Sequence, residues 1–419
     1  MLPPSPFRAP LRECPSCGLF QTLPDLRSGF VADCPRCGKV LHRQRSEPFT
    51  RSLALSVAAG AFFLLAVTTP FLSFDLGGQV RETTLLQFPS WFELQGYWEL
   101  DIVVLCTVVV APVLVLGMTL MVLVGLRGER PPAWLPVLQR WRDRLRPWAM
   151  TEVFLLGVFV AYTRLNALAR VEVGSALYAL GGLMLMTVAS DALLDRQTVW
   201  ALLGRKCGVA QRMATGAPLS CESCDLVVRD GPDRECPRCA GPLHRRKPNS
   251  IARTWALLIA SVCFYVPANV FPILSLTRLG APQESTILGG ALELLHAGMW
   301  PLALLVFCAS IVVPTLKLAA LTWMLVATHR GSERRLRQRT RLYRVVDVIG
   351  RWSMIDVFML AILVALVRMG ILAEVQPRVG AACFAAVVVL TMLAAGSFDP
   401  RLMWDRAGKQ SGADRVVFA

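Results

Sequence analysis

The chain has 419 residues, 54% of them hydrophobic and only 17% charged, with a net charge of +15. An ordinary soluble domain carries about 25% charged residues, so that class is excluded. The positive charge does not point to nucleic acid either, because Lys and Arg gather in loops between apolar runs without an aromatic-studded basic face.

In chain order, "MLPPSPFRAP" (1–10) reads as a disordered leader without the short apolar core of a cleavable signal peptide, so the first membrane helix directs insertion. A cysteine module follows in 11–47: Cys14-x-x-Cys17, sixteen residues, then Cys34-x-x-Cys37. A first membrane domain fills 48–200, with spans at 52–74, 102–126, 148–169 and 173–193. Residues 201–217 are a linker. The module returns in 218–247 as Cys221-x-x-Cys224, eleven residues, then Cys236-x-x-Cys239. A second membrane domain fills 248–405, with spans at 254–277, 298–328, 350–372 and 379–398, and 406–419 are a tail. These runs reach the roughly 18–20 residues that a helix needs to cross the ~30 Å hydrocarbon core.

Arg clusters at Arg142–Arg146 and Arg334–Arg341 mark loops on the cytoplasmic side by the positive-inside rule. The opposite loop, Asp75–Asp101, holds Arg81 against five acidic residues. Trp91, Trp98 and Trp300 read as an interfacial belt near the outer boundary. Both termini and both cysteine modules then fall in the cytoplasm.

The second half repeats the first. "PFLSF" at Pro70 matches "PILSL" at Pro272, and Glu82, Trp98 and Pro112 match Glu284, Trp300 and Pro314, all at an offset of 202. "WAMTEVF" at Trp148 matches "WSMIDVF" at Trp352, and "VGSA" at Val173 matches "VGAA" at Val379. The expected architecture is therefore an all-α polytopic membrane protein. It is a tandem parallel repeat of two four-helix domains, each preceded by a small cytoplasmic zinc ribbon that caps its own bundle.

Two CxxC knuckles at this separation place four thiolates around one tetrahedral Zn²⁺, so two structural zinc sites are expected. Disulfides, a redox-active CxxC and an iron–sulfur site are the alternatives. A segment this small cannot bury enough core to fold alone, and a metal would supply the folding energy.

An ionisable side chain inside a span costs roughly 2.5–3.5 kcal/mol on insertion scales and marks a functional candidate. Lys317 in "VVPTLKLAALTWMLV" and Asp356 in "RWSMIDVFML" enter from the same side, and their depths differ by roughly 6 Å at 1.5 Å per residue. An ion pair between them is feasible. Pro314 frees the Ser310 carbonyl beside Lys317, Ser353 shares a helix face with Asp356, and Thr391 is in reach from the last span. The first copy keeps Glu152 where the second has Asp356, but puts Val115 and Ala149 in place of Lys317 and Ser353. That asymmetry places the working site in copy two. The alternative is that Lys317 and Asp356 only hold two helices in register.

The paired "CPxCG…CPRCG…LHR" modules, "PFLS" and "PILSL", "VPTLKL", "WSMIDVF" and the late "SFDPRLMW" resemble the paraquat-inducible protein A family over about residues 10–405. The first copy departs from that pattern, reading "LLDRQTVW" from Leu193 to Trp200. The resemblance implies a Gram-negative inner-membrane subunit of an envelope lipid-transport system. Such a subunit passes phospholipid to or from a periplasmic MCE-domain tunnel protein. It also implies that Lys317, Ser353, Asp356 and Thr391, with Pro314 and with Glu152 in the first copy, form the transport polar cluster. A membrane-bound metal or redox sensor, or a secondary transporter using a Lys/Asp relay, are the competing readings. With no Walker A sequence and four histidines, neither an ATPase nor another enzyme is expected, and no nucleic-acid partner.

Overall fold

The computed structural model describes residues 11–23, 29–43, 49–76, 79–85, 98–129, 131–166, 170–194, 196–206, 217–229, 234–278, 281–366 and 373–408. The expected leader and the end of the tail lie outside them, as do Trp91 and most of the linker. Among these residues eight helices are long and apolar enough to cross a membrane. Side chains such as Leu64, Val124, Phe159, Ile259, Val266 and Leu316 stand exposed on them, an apolar outer surface suited to hydrocarbon.

The first ribbon holds two hairpins, β1 (Leu11–Glu13) with β2 (Phe20–Thr22) and β3 (Val31–Asp33) with β4 (Val40–Arg43). The first unit then runs α1 (Phe49–Thr68), β5 (Leu72–Leu76), β6 (Gln79–Thr83), α2 (Trp98–Arg127), α3 (Leu135–Leu145), α4 (Thr151–Asn166), β7 (Arg170–Val173), α5 (Ser175–Leu193) and α6 (Arg196–Lys206). The second ribbon pairs β8 (Pro218–Ser220) with β9 (Val227–Arg229). The second unit follows with α7 (Ser250–Val270), β10 (Leu274–Arg278), β11 (Ala281–Ser285), α8 (Ile287–His296), α9 (Trp300–His329), α10 (Leu336–Ile349), α11 (Ile355–Leu366), β12 (Ala373–Pro377), α12 (Val379–Ser397) and α13 (Arg401–Arg406).

The all-α expectation is corrected here. Each unit carries a three-stranded antiparallel sheet, in the orders β6-β5-β7 and β11-β10-β12, opposite the ribbon end. The sequence hides these strands because β5 and β10 continue the apolar runs of α1 and α7, where a five-residue alternation is masked. The ladders also fix the repeat register. Leu72 pairs with Val173 as Leu274 pairs with Pro377, so the fourth spans align at an offset of 204. The "VGSA"/"VGAA" match is out by two residues. Gly174 itself answers to the close passage of the chain at the head of α5, where a Cβ would stand 2.2 Å from the Pro70 carbonyl oxygen.

Within each unit the first and fourth spans pack along their length, α1 on α5 and α7 on α12. The units meet through their third spans. Gly157 on α4 lets α11 approach until a Cβ there would lie 3.0 Å from the Phe358 Cβ, and Phe154 meets Phe358 edge-on at 5.6 Å. Residues Ser353 to Ala365 are buried without interruption. A helix apolar all round belongs at the centre of a bundle, and α11 is that helix. In both units Pro112 and Pro314 follow a π turn, Cys106–Val110 and Cys308–Val312. A proline cannot donate to the carbonyl four residues back, and the wider turn absorbs the missing bond.

The ribbons do not cap their own bundles. Ribbon one docks on unit two: Arg36 stacks 4.4 Å over Trp404, Arg344 donates to the Cys37 carbonyl at 2.8 Å, and Arg337 to that of Pro35 at 3.1 Å. Ribbon two docks on unit one through matching residues: Arg238 stacks over Trp200 and Arg140 donates to the Ala240 carbonyl at 2.6 Å. The ribbon cysteines join the apolar clusters of these opposite units, with Leu321 and Trp404 in one and Leu135 and Trp200 in the other. Two equivalent docking faces exist in a duplicated chain, and residue patterns do not distinguish self from neighbour.

Candidate functional site

Each cysteine cradle is made by two tight turns. The Cys14 and Cys34 amides donate to the carbonyls of Leu19 and Lys39, and Gly18 and Gly38 adopt the positive φ these turns need. In the second module Asp225 and Ala240 hold that left-handed conformation in place of glycine. The four sulfur atoms of Cys14, Cys17, Cys34 and Cys37 lie within 4.8 Å of one another, as do those of Cys221, Cys224, Cys236 and Cys239. Closest approaches are 3.5 Å (Cys14–Cys37) and 3.6 Å (Cys17–Cys34), and 3.5 Å twice in the second module. Metal–sulfur bonds of ~2.3 Å in a tetrahedron require sulfur separations near ~3.8 Å. A disulfide needs ~2.05 Å. Both sets therefore fit one tetrahedral metal ion each.

The second candidate lies inside the second unit. Lys317 on α9 is 2% exposed, and among the described residues no carboxylate lies within ion-pair distance of it. Its Nζ donates to Thr391 Oγ1 at 2.8 Å, with the Gly350 carbonyl at 3.4 Å and Ser353 Oγ at 3.5 Å. Asp356, at the head of α11, accepts instead from the Ser310 hydroxyl, which the π turn aims across the bundle. The feasible Lys317–Asp356 pair is thus replaced by two separate settings. Lys317, Ser353 and Thr391 come together; Asp356 joins Ser310; Pro314 shapes the turn between them.

Asp356 and Ser310 line a cavity of about 340 Å³ between α11, α8 and the β11-β10-β12 sheet. Its wall is apolar, with Leu276, Leu294, Met299, Leu363 and Phe384, while Glu293 and Gln283 add polar groups. An elongated apolar group fits the wall, and a polar end fits Asp356 and Ser310.

Glu152 lies elsewhere. It lines a separate cavity of about 120 Å³ in the first unit, with Val115, Ala149 and Thr187. These four are the structural counterparts of Asp356, Lys317, Ser353 and Thr391. Charge enters this cavity from α3, where the buried Arg142 donates to Thr119 Oγ1 at 2.7 Å and pairs with Asp191 at 3.2 Å. Sequence reading took these arginines only as topology markers.

One further cluster ties the parts together. Glu13 of ribbon one pairs with Arg246 at 3.0 Å and Arg401 at 3.4 Å, Arg401 forks onto Asp399 at 3.0 Å, and Arg246 pairs with Asp405 at 2.6 Å. Burial pushes the Glu13 carboxyl above its ordinary range despite the two arginines. Burial also opposes ionisation of Asp399, but Arg401 outweighs it and holds that carboxyl below its ordinary value. The "SFDPRLMW" motif entered the sequence reading only as a family likeness, and the ion pair of its Arg401 with Glu13 was not foreseen.

A sequence profile described as Paraquat-inducible protein A matches residues 49–204 and 251–408. The chain is 36% identical over 399 residues to Intermembrane transport protein PqiA of Escherichia coli (strain K12), covering 94% of this chain and 95% of that one. Lipophilic envelope-spanning tunnel protein A of the same organism is 30% identical, covering 95% and 92%. A Probable intermembrane transport protein of Haemophilus influenzae is 26% identical, covering 95% and 96%. No solved structure matches the chain.

Proposed function

The chain belongs to the paraquat-inducible protein A family, and we propose that it is an inner-membrane lipid-transport subunit passing phospholipid to or from a periplasmic MCE-domain tunnel protein. The observation that carries this reading is the cavity of the second unit. It is an apolar chamber at the sheet end, with Asp356 and Ser310 at its floor and Lys317 buried beyond them. An acyl chain matches the apolar wall. The Asp356 carboxylate, which lines that chamber with Ser310, offers a charge to the cationic end of a headgroup.

On this reading the ribbons, the Arg-rich helices α3 and α10 and both termini are cytoplasmic, and the sheets face the periplasm and the tunnel partner. The two cysteine sets hold structural Zn²⁺, whose binding energy folds the ribbons. Lys317 settled among hydroxyls, free of Asp356, also supports a second reading in which the two groups relay protons for secondary transport. The sequence carries no Walker A motif, and on this reading energy comes from a gradient, from downhill flow or from another subunit.

The test is photo-crosslinking in cells with a reactive residue at Leu363. Crosslinks to phospholipid that vanish on Asp356→Asn are expected. Solute uptake by proteoliposomes without any lipid crosslink would replace lipid passage with the relay. Release of zinc by mild peroxide with a change in activity would favour the sensor reading.

A further inference from the structure

The first unit is built around the space its missing lysine leaves. Val115 stands where unit two has Lys317, and the volume so freed is part of the 120 Å³ cavity. The cation returns from another direction. Arg146 occupies the position of Gly350, whose carbonyl touches Lys317 in unit two. Arg351 reaches the same cavity from the second unit.

The charges sort into two groups. Arg142, Arg146 and Asp191 satisfy one another, at 3.2 Å and 2.7 Å. Arg351 and Glu152 line the same space, and among the described residues neither has an ion-pair partner. Asp143 also pairs with Arg142 at 3.5 Å, so Arg351 and Glu152 remain as one positive and one negative charge facing the space. One wall is apolar, with Phe63, Leu116 and Leu183, while Trp141 on α3 and Trp134 just before it stand exposed as interfacial anchors.

We propose that this cavity binds the zwitterionic headgroup of a phosphoethanolamine lipid at the ribbon end of the first unit. The phosphate lies toward Arg351 and Arg146 and the ammonium toward Glu152. The inference rests on the lipid-handling reading but not on the tunnel partner or on the second unit's cavity. A soluble phosphate ester would satisfy the charges, but it would leave the apolar wall uncovered. A purely anionic lipid would leave Glu152 opposed to it.

The test uses the full-length protein purified from nanodiscs of mixed phosphatidylethanolamine and phosphatidylglycerol, with retained lipid counted by native mass spectrometry. The wild type is expected to retain phosphatidylethanolamine in preference. Glu152→Gln should shift the ratio toward phosphatidylglycerol by about tenfold, the scale of one partly desolvated charge contact. Arg351→Ala should lose about one bound lipid per chain, and Arg351→Lys should restore it in a protein that melts like the wild type. An unchanged ratio in Glu152→Gln, with lipid still lost from Asp356→Asn, overturns this proposal and leaves the transport reading standing. Loss of lipid in none of the variants overturns both. Displacement of the retained lipid by millimolar O-phosphoethanolamine or inorganic phosphate would assign the site to a soluble ester and also overturn it.

Discussion

Lys317 carries a charge into a setting where its partners among the described residues are neutral oxygens, with 2% exposure and Thr391 nearest. Hydroxyls and one carbonyl satisfy an ammonium less well than a carboxylate does, so its burial costs stability rather than supplying it. Methionine has similar length and no charge. Lys317→Met is therefore expected to melt at or above the wild-type temperature and to abolish the envelope-permeability phenotype that transport maintains. A midpoint several degrees lower would show that the ammonium holds the bundle together, as the register alternative states. The residues of this site were readable because ionisable and hydroxyl groups stand out in apolar runs. Their pairing was not, since it depends on where the π turn at Cys308–Val312 points Ser310. Opposite charges at compatible depth invited a pair that the backbone rotates apart.

At the scale of elements, span positions followed from length and hydropathy, whereas three- to five-residue strands and close crossings did not. Gly174 is one such crossing. A methyl group 2.2 Å from the Pro70 carbonyl oxygen must displace backbone, not a flexible side chain. Gly174→Ala is expected to destabilise the first unit by roughly 1–3 kcal/mol, the usual cost of overpacking. Thermal unfolding followed by circular dichroism would read it, and a neutral result would mean the β5–α5 junction yields freely. The head of α13 yields a second prediction. Asp399 is held below its ordinary range, so its contribution to docking is present above the unfolded carboxylate value and lost as pH falls through the folded one. Glu13 is pushed upward, so its contribution runs the other way, fully present at acid pH and lost as pH rises through its folded value. Asp399→Asn strips the buried Arg401 of its forked carboxylate partner and leaves it the longer contact to Glu13, a loss of roughly 3 kcal/mol at neutral pH. The gap between wild type and variant, read as protease resistance of ribbon one, should close as pH drops below the ordinary carboxylate range. A gap constant with pH would remove Asp399 ionisation from the docking.

The whole molecule is two units bound crosswise. The repeats were legible, yet the exchange of ribbons was not, because Arg36 with Trp404 and Arg238 with Trp200 are the same pair written twice. Local sequence specifies that a ribbon docks, but not on which copy. Arg344 and Arg140 repeat the logic, donating to the carbonyls of the second knuckle of the opposite module. Each ribbon thereby works as a strap, and a metal ion held by its four cysteines would also lock one unit to the other. Cutting the chain between Lys206 and Ala217 leaves one ribbon on each fragment, so the crossed straps persist without covalent linkage. A photo-reactive residue at position 35 of the N-terminal fragment should crosslink to the C-terminal fragment, near Arg337. One at position 223 of the C-terminal fragment should mark the N-terminal fragment, near Arg196. Removing the metal with a strong chelator should abolish both crosslinks, while the α4–α11 contact through Gly157 and Phe358 keeps the fragments together in detergent. Crosslinks within a fragment would restore the self-capping arrangement. Crosslinks that survive complete metal loss would show that the ribbons fold and dock on their apolar contacts alone.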